Sequence, residues 1–240
     1  MRRDPLLLLL LSSAACTGAR TEAAPAPTAA AARSPTIEVA PVAADAVCFT
    51  RGQLGEASRI ADATMRGYVP ESRGDAAQLT FTYRGESGDT RALASGDVRR
   101  QLGLKLRAQD SCNVVYVMWR LDPRPKLDVS IKSNPGKAAH EQCGADGYTK
   151  VRSRSSSSAP PAYEFGATHT LRAEIVGDDI YAWVDGRLAF EGRLPEAART
   201  IRGPAGVRSD NVAFDLVELA VPRATDRGAA AACRADAASD

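Results

Sequence analysis

Histidine is almost missing from this chain of 240 residues: His140 and His169 are the two. That leaves little material for a Ser-His-Asp set, and no G-x-S-x-G elbow is present to receive one. P-loop and Rossmann fingerprints are absent, so no nucleotide cofactor is expected, and none of any other kind. No Cys-x-x-Cys or His-x-x-x-His spacing occurs. The one metal set the sequence offers, His140 with Cys112 and Cys143, lacks the spacing of a structural zinc site, and no metal is expected. Lysine is scarce too, five residues out of 31 lysines and arginines. Together with the abundance of alanine, this reads as high-GC coding rather than as arginine placed for bidentate recognition. The net charge is only +2. No basic stripe argues for nucleic acid and no acidic block for a solvating tail, so nucleic acid is excluded as a partner.

What is present begins at the N-terminus. Met1-Arg2-Arg3 supplies a positive start, and Leu6 to Leu11 is an unbroken leucine run extended by Ser12 to Ala15. This stretch is too short to span a bilayer as a mature helix and reads as a signal peptide. Ser13-Ala14-Ala15-Cys16 follows and resembles the bacterial lipobox, with Ser13 where that pattern usually carries Leu. The resemblance implies that Cys16 is lipidated and becomes the mature N-terminus. More than one acyl chain on that cysteine would give stable anchoring. Export to the cell envelope is expected, and Thr17 after the cysteine points to the outer membrane.

Cysteine parity agrees with this. Of Cys16, Cys48, Cys112, Cys143 and Cys233, removal of Cys16 leaves four, and in an oxidising compartment four suggest two disulfides. Three pairings exist. Cys112–Cys143, within one central block, and Cys48–Cys233, joining the ends of the domain, are preferred.

Residues 17–45 are rich in Ala, Pro and Thr, as in Ala23-Ala24-Pro25-Ala26-Pro27-Thr28, and read as a disordered tether. Short strands with period-2 alternation follow. Leu79, Phe81 and Tyr83 form one dry face; Leu102, Leu104 and Leu106 another; then come Leu127, Val129 and Ile131, and Leu171, Ala173 and Ile175. One dry and one wet face per strand fits antiparallel sheets. Val114 to Trp119 is apolar on both faces and reads as a central strand. Ile180 to Val184, Asp185-Gly186 and Arg187 to Phe190 form a hairpin with a tight Asp-Gly turn. Val212, Phe214 and Leu216 alternate, then Val217, Leu219 and Val221 continue in the opposite phase, which calls for a β-bulge near Leu216. Residues 54–66 are ambiguous: Leu54, Ala57, Ile60 and Ala61 fit a short helix, and Thr64 to Val69 fit a strand. Arg152 to Pro161 reads as an exposed loop. The fold class is all-β, an antiparallel sandwich. The divisions are 1–15 signal peptide, 16–45 lipidated Cys and tether, 46–222 sandwich, and 223–240 an Ala-rich tail pinned by Cys233.

The runs His169 to Ile175, Ile180 to Gly186, Gly206-Val207-Arg208 and Phe214 to Val221 resemble the closing strands of the concanavalin A-like (laminin-G-like) jelly roll. Gly103 to Asp110, with the strand carrying Tyr116 and Trp119, resembles its middle strands. The resemblance spans about residues 75–221 and implies a fold shared by lectins, glycosidases and adhesion domains, not one activity. Catalytic members pair carboxylates on one strand, and no E-x-D-x-E run occurs here. Asp178-Asp179 sit in a turn beside Gly177, and Asp215 and Glu218 straddle the expected bulge. Asp110, Asp178 and Asp210 read as acidic turn residues without a calcium loop. His169 is expected to make a structural hydrogen bond and His140 to be exposed. No catalytic residues are assigned.

The aromatics remain as a candidate ligand face: Tyr116, Trp119, Tyr181 and Trp183. Tyr116 and Trp119 fall on opposite faces of one strand. Tyr181 and Trp183 lie opposite Ile180, Ala182 and Val184, and they belong to the core instead if a loop such as 132–163 covers them. The expectation is a non-catalytic envelope lipoprotein that binds glycan or protein, or acts as a scaffold. The alternative is a glycoside hydrolase with an atypical carboxylate pair, marked by an open groove with two carboxylates about 5 to 10 Å apart. Replacing the anchor tests the first part. Cys16→Ser should move the protein into the soluble fraction and abolish palmitate labelling. A variant that stays membrane-bound through detergent-free washes overturns the lipid anchor.

Overall fold

Period-2 alternation makes each strand two-faced, and two such faces turned together exclude water from a single core. The computed structural model describes residues 33–154, 160–223 and Cys233; the signal peptide, Cys16 and most of the tether lie outside the described residues. In chain order the strands are β1 (Ala40–Pro41), β2 (Cys48–Arg51), β3 (Arg59–Ile60), β4 (Thr64–Tyr68), β5 (Ala76–Tyr83), β6 (Gln101–Leu106) and β7 (Val114–Arg120). They continue as β8 (Lys126–Lys132), β9 (Tyr148–Lys150), β10 (Thr168–Val176), β11 (Asp179–Val184), β12 (Arg187–Arg193), β13 (Gly206–Asp210) and β14 (Phe214–Val221). One short helix, α1 (His140–Cys143), precedes β9.

All pairings are antiparallel and build two sheets. The back sheet runs β1-β14-β5-β10-β11-β12, with β3 sharing the outer edge of β14. The front sheet runs β2-β4-β13-β6-β7-β8-β9. Leu79, Phe81, Leu171, Ala173, Ile180 and Ala182 face inward from the back sheet. Leu102, Leu104, Val115, Val117, Trp119 and Val129 meet them from the front. The expected sandwich is therefore present. Trp119, Phe81, Tyr163 and His169 make an edge-to-face aromatic cluster at one end of the core, and the Tyr163 hydroxyl donates to the Trp119 carbonyl at 2.9 Å.

The local expectations at two turns hold for stated reasons. Asp185 and Gly186 take φ of 49° and 77°, the left-handed pair that a two-residue hairpin needs to match strand twist. In β14 the register on β5 shifts between Leu216 and Glu218. Val217 is the extra residue, 57% exposed, so Leu216 and Leu219 both reach the core despite their odd spacing. Between 54 and 61 the chain makes a single 3-10 turn (Glu56–Ser58) before β3, and no helix longer than that.

Residues 33–42, read from sequence as tether, instead lie along the outer face of the back sheet as a strap. The Trp183 indole donates to the Arg33 carbonyl at 2.8 Å, and the backbone amides of Thr36 and Ile37 each donate to Glu174 Oε2 at 2.9 Å. Val42 then donates to the Leu219 carbonyl beside β14. Glu174 is fully buried, and a buried carboxylate needs donors; the strap backbone supplies them.

Both preferred disulfides are present, Cys48–Cys233 with Cα atoms 5.4 Å apart and Cys112–Cys143 at 5.9 Å. Paired cysteines are characteristic of proteins in oxidising compartments. Cys112–Cys143 spans 31 residues, a closure for which chain entropy gives about 3 to 4 kcal/mol. A Cys112→Ala/Cys143→Ala variant should therefore lose about 3 to 4 kcal/mol in urea unfolding. A change below about 0.5 kcal/mol would show that the bridge adds nothing beyond what its neighbouring hydrogen bonds already hold.

Candidate binding groove

On the outer face of the front sheet, the strand register lays polar side chains in rows. Arg51 of β2 is opposite Arg66 of β4, which is opposite Arg208 of β13, which is opposite Gly103 of β6. Like charges directly opposite one another repel. The next row answers them: Asp210 of β13 accepts from Arg66 Nη2 at 2.7 Å, from Arg208 Nε at 3.0 Å and from Gln101 Nε2 at 2.6 Å. Burial alone would raise the pKa of the Asp210 carboxyl, but Arg208 and Arg66 overcome it and drive that pKa well below the usual range. Gly103 leaves the position beyond Arg208 in this row without a side chain. A Cβ there would meet the Val117 carbonyl oxygen at 2.2 Å, so only glycine fits.

The aromatics come from β7 and β9. Tyr116 of β7 stacks on Tyr148 of β9 with centroids 6.1 Å apart, and the Arg208 guanidinium stands 5.0 Å over the Tyr116 ring. Tyr116 is buried, whereas Tyr148 is 45% exposed. Together these rows floor a cavity of about 350 Å³, within the range of small-molecule sites.

Two loops make the walls. Residues 87–100 are seated by Asn211: its Nδ2 donates to the carbonyls of Arg91 and Arg99 at 2.8 and 2.9 Å, and its Oδ1 accepts from the Arg91 amide at 2.7 Å. Residues 133–147 are held by the Cys112–Cys143 bridge, by Asn134 Nδ2 on the carbonyls of Cys112 and Asp146, and by Ser111 Oγ on the Ala138 carbonyl. Lys132 lies beneath this wall and donates to the Ser111 carbonyl at 2.9 Å; burial, helped by Arg208, lowers its pKa to about 8. His140, at the start of α1, is half-buried and lines the cavity, not exposed as its loop position suggested. Burial lowers its pKa, and Lys132 and Arg51 add to that.

The four candidate aromatics are not brought together. Tyr116 alone reaches the groove. Trp119, one residue out of phase with Met118, points between the sheets and is wholly buried. Tyr181 and Trp183 do face away from Ile180 and Ala182, but the strap closes that face, with the Arg33 guanidinium 4.0 Å from the Tyr181 ring centroid. The cover is the N-terminal segment, not residues 132–163. His169 makes its structural bond, Nδ1 to Asp185 Oδ2 at 2.9 Å. Among the described residues no group of three or more His, Cys, Asp or Glu could hold a metal. Asp110 caps its own loop through the Cys112 amide and Asn113, Asp178 pairs with Arg193 and Arg199, and Asp215 pairs with Arg59 and Arg84. Asp210 ends a strand instead of forming a turn. Tyr148, Asn211 and the residues 87–100 escaped the sequence reading; the Arg66/Arg208/Asp210 set carried only a weak signal, polar residues alternating with Met65 and Val207.

No protein-family model matches the chain, and no curated protein sequence matches it. Among solved structures it is similar to a carbohydrate-binding module from Bacillus subtilis, at 10% identity and a TM-score of 0.48, covering 75% of this chain and 94% of that one. It is also similar to a galectin of Caenorhabditis elegans, at 11% identity and a TM-score of 0.39, covering 75% and 97%. A third is the transglycosylase Crh5, at 12% identity and 0.43, covering 81% and 87%. At these scores the chemistry of the groove has to be argued from its own residues.

Asp210 offers the direct test of that chemistry. Asp210→Asn would leave Arg66 and Arg208 buried without their carboxylate, so urea unfolding at pH 7 should show a loss of about 3 to 5 kcal/mol. The native carboxylate titrates below its unfolded value of 3.8. Its contribution is thus complete above that pH and fades as pH falls beneath it, and the gap between the two proteins should narrow there. A gap independent of pH would show that the charge is not what matters.

Proposed function

We propose that the protein is a non-catalytic cell-envelope lipoprotein whose sandwich binds a glycan in the front-sheet groove. The observation that carries the reading is the groove floor: planar polar groups of Arg66, Arg208, Asp210 and Gln101, fixed by mutual hydrogen bonds, beside the half-exposed ring of Tyr148. A sugar presents hydroxyls in a plane and an apolar C–H face. It is matched by fixed donors and acceptors next to an aromatic surface, and groups already held in place lose little entropy on binding.

Against catalysis stand the carboxylates of the cavity itself, Asp128 and Asp210. A glycosidase needs one carboxyl with a raised pKa to protonate the leaving oxygen. Burial would raise the Asp128 carboxyl, but Arg120, Lys150 and Lys126 prevail and lower it; Asp210 is lowered further by its arginines. Both are ionised bases with positive partners, and neither is an acid. The lipid anchor is supported by the lipobox-like Ser13 to Cys16 and by parity: the other four cysteines pair among themselves, leaving Cys16 as the odd thiol.

A glycan-array screen of the purified full chain in detergent should return binding to at least one glycan class, with no cleavage product on prolonged incubation. Tyr148→Ala, at an exposed position, should weaken that binding about tenfold. Binding that is indifferent to Tyr148, or none at all, overturns the groove as a glycan site; a cleaved product overturns the non-catalytic reading.

A further inference from the structure

The charge of the groove is unlike that of the chain. Over the whole sequence cations and anions nearly cancel. Six cationic side chains line the cavity, Arg51, Arg66, Arg91, Arg99, Arg208 and Lys150, against the two carboxylates of Asp128 and Asp210. Those two are already committed. Asp210 serves Arg66 and Arg208, and Asp128 is shared by Arg120, Lys126 and Lys150. Arg99 has Asp97. Arg51 and Arg91 have no ion-pair partner among the described residues, and both are exposed.

Their placement is specific. Arg51 ends the in-register arginine row, beyond the reach of Asp210's bonds, and Arg91 is held on its loop by Asn211 through both its amide and its carbonyl. The main cavity adjoins a second hollow of about 580 Å³; the two share Arg51, Thr64 and Arg91 as lining, and the second adds Asp62, which accepts from the Gln53 amide, and Asp89. The shared residues form the waist where the two hollows meet. The lowered pKa of His140, to which Arg51 and Arg208 contribute after burial and Lys132, reports the same positive field.

We infer that the groove takes an acidic polysaccharide, with a sugar carboxylate seated at the waist between Arg51 and Arg91. This rests on the glycan reading above and adds the charge of the ligand to it. A guanidinium matches a carboxylate with two parallel hydrogen bonds, and in a partly enclosed groove such a pair is stronger than on open surface.

The test compares three polysaccharides by affinity electrophoresis of the full chain in detergent: polygalacturonate, the same backbone with its carboxyls fully methyl-esterified, and a neutral galactan. Polyglutamate serves as a polyanion without sugars. Polygalacturonate should bind, its methyl ester about tenfold or more weakly, and the Arg51→Gln/Arg91→Gln variant should lose the preference between them. Both substitutions lie at exposed positions. Arg187→Gln, at the exposed start of β12 on the other sheet, should bind as the native chain does. Equal binding of acid and ester, or binding of neutral galactan alone, overturns the acidic-ligand inference while leaving a glycan site. Binding to none of the three overturns the acidic-ligand inference, while the glycan reading itself is decided by the array and by Tyr148→Ala. Polyglutamate bound as tightly as polygalacturonate overturns the inference as well, because the groove would then read charge without sugar.

Discussion

Asp210 is the group on which the front of this protein depends. Its carboxylate collects hydrogen bonds from three adjacent strands, Arg66 on β4, Arg208 on its own β13 and Gln101 on β6. Without it the register would place buried arginines side by side with no counter-charge. Breaking such a set by removing one partner is costly, even where the intact set is nearly neutral in stability. The benefit of the set therefore lies in specificity and preorganisation. It fixes the polar groups lining the groove in place, beside Gly103, which carries no side chain, and the buried ring of Tyr116.

The two outer faces of the sandwich meet the same physical problem in different ways. Each carries a buried acid, Glu174 behind and Asp210 in front. Behind, the donors are the amides of residues 36 and 37 with the Thr36 hydroxyl, so the solution is a peptide segment laid across the sheet, which closes the face and buries Tyr181 and Trp183. In front, the donors are side chains rooted in the sheet itself, which leaves the surface above them open between two braced loops. That difference in donor source is why one face is wall and the other is groove.

Much of the architecture was legible in the sequence because it is local. Alternation at Leu79, Phe81 and Tyr83 or at Leu171, Ala173 and Ile175 states which face is dry. Asp185-Gly186 states a two-residue turn, and the change of phase at Leu216 states a bulge. The groove was not legible, because its parts come from β2, β4, β6, β13 and residues 87–100. What joins them is register across the sheet, which no short window records. Asp210 by itself resembled a turn residue, and the arginine excess looked compositional until Arg51, Arg66 and Arg208 were found opposite one another. The strap was missed for a related reason: Glu174 is met mostly by the amides of Thr36 and Ile37, which every residue but proline has, and one threonine hydroxyl among many gives no sign of where order begins.

The strap also sets how a load would travel. Residues 1–32 join the domain at Arg33, on the outer surface of the back sheet, and the bonds met next along the chain run to Trp183, Glu174 and Leu219 in turn. A pull applied through the N-terminus would strip these contacts one after another, as tape lifts from a surface. Beyond Val42 the chain passes into β2 at the edge of the front sheet, where the Cys48–Cys233 bridge would take up the load.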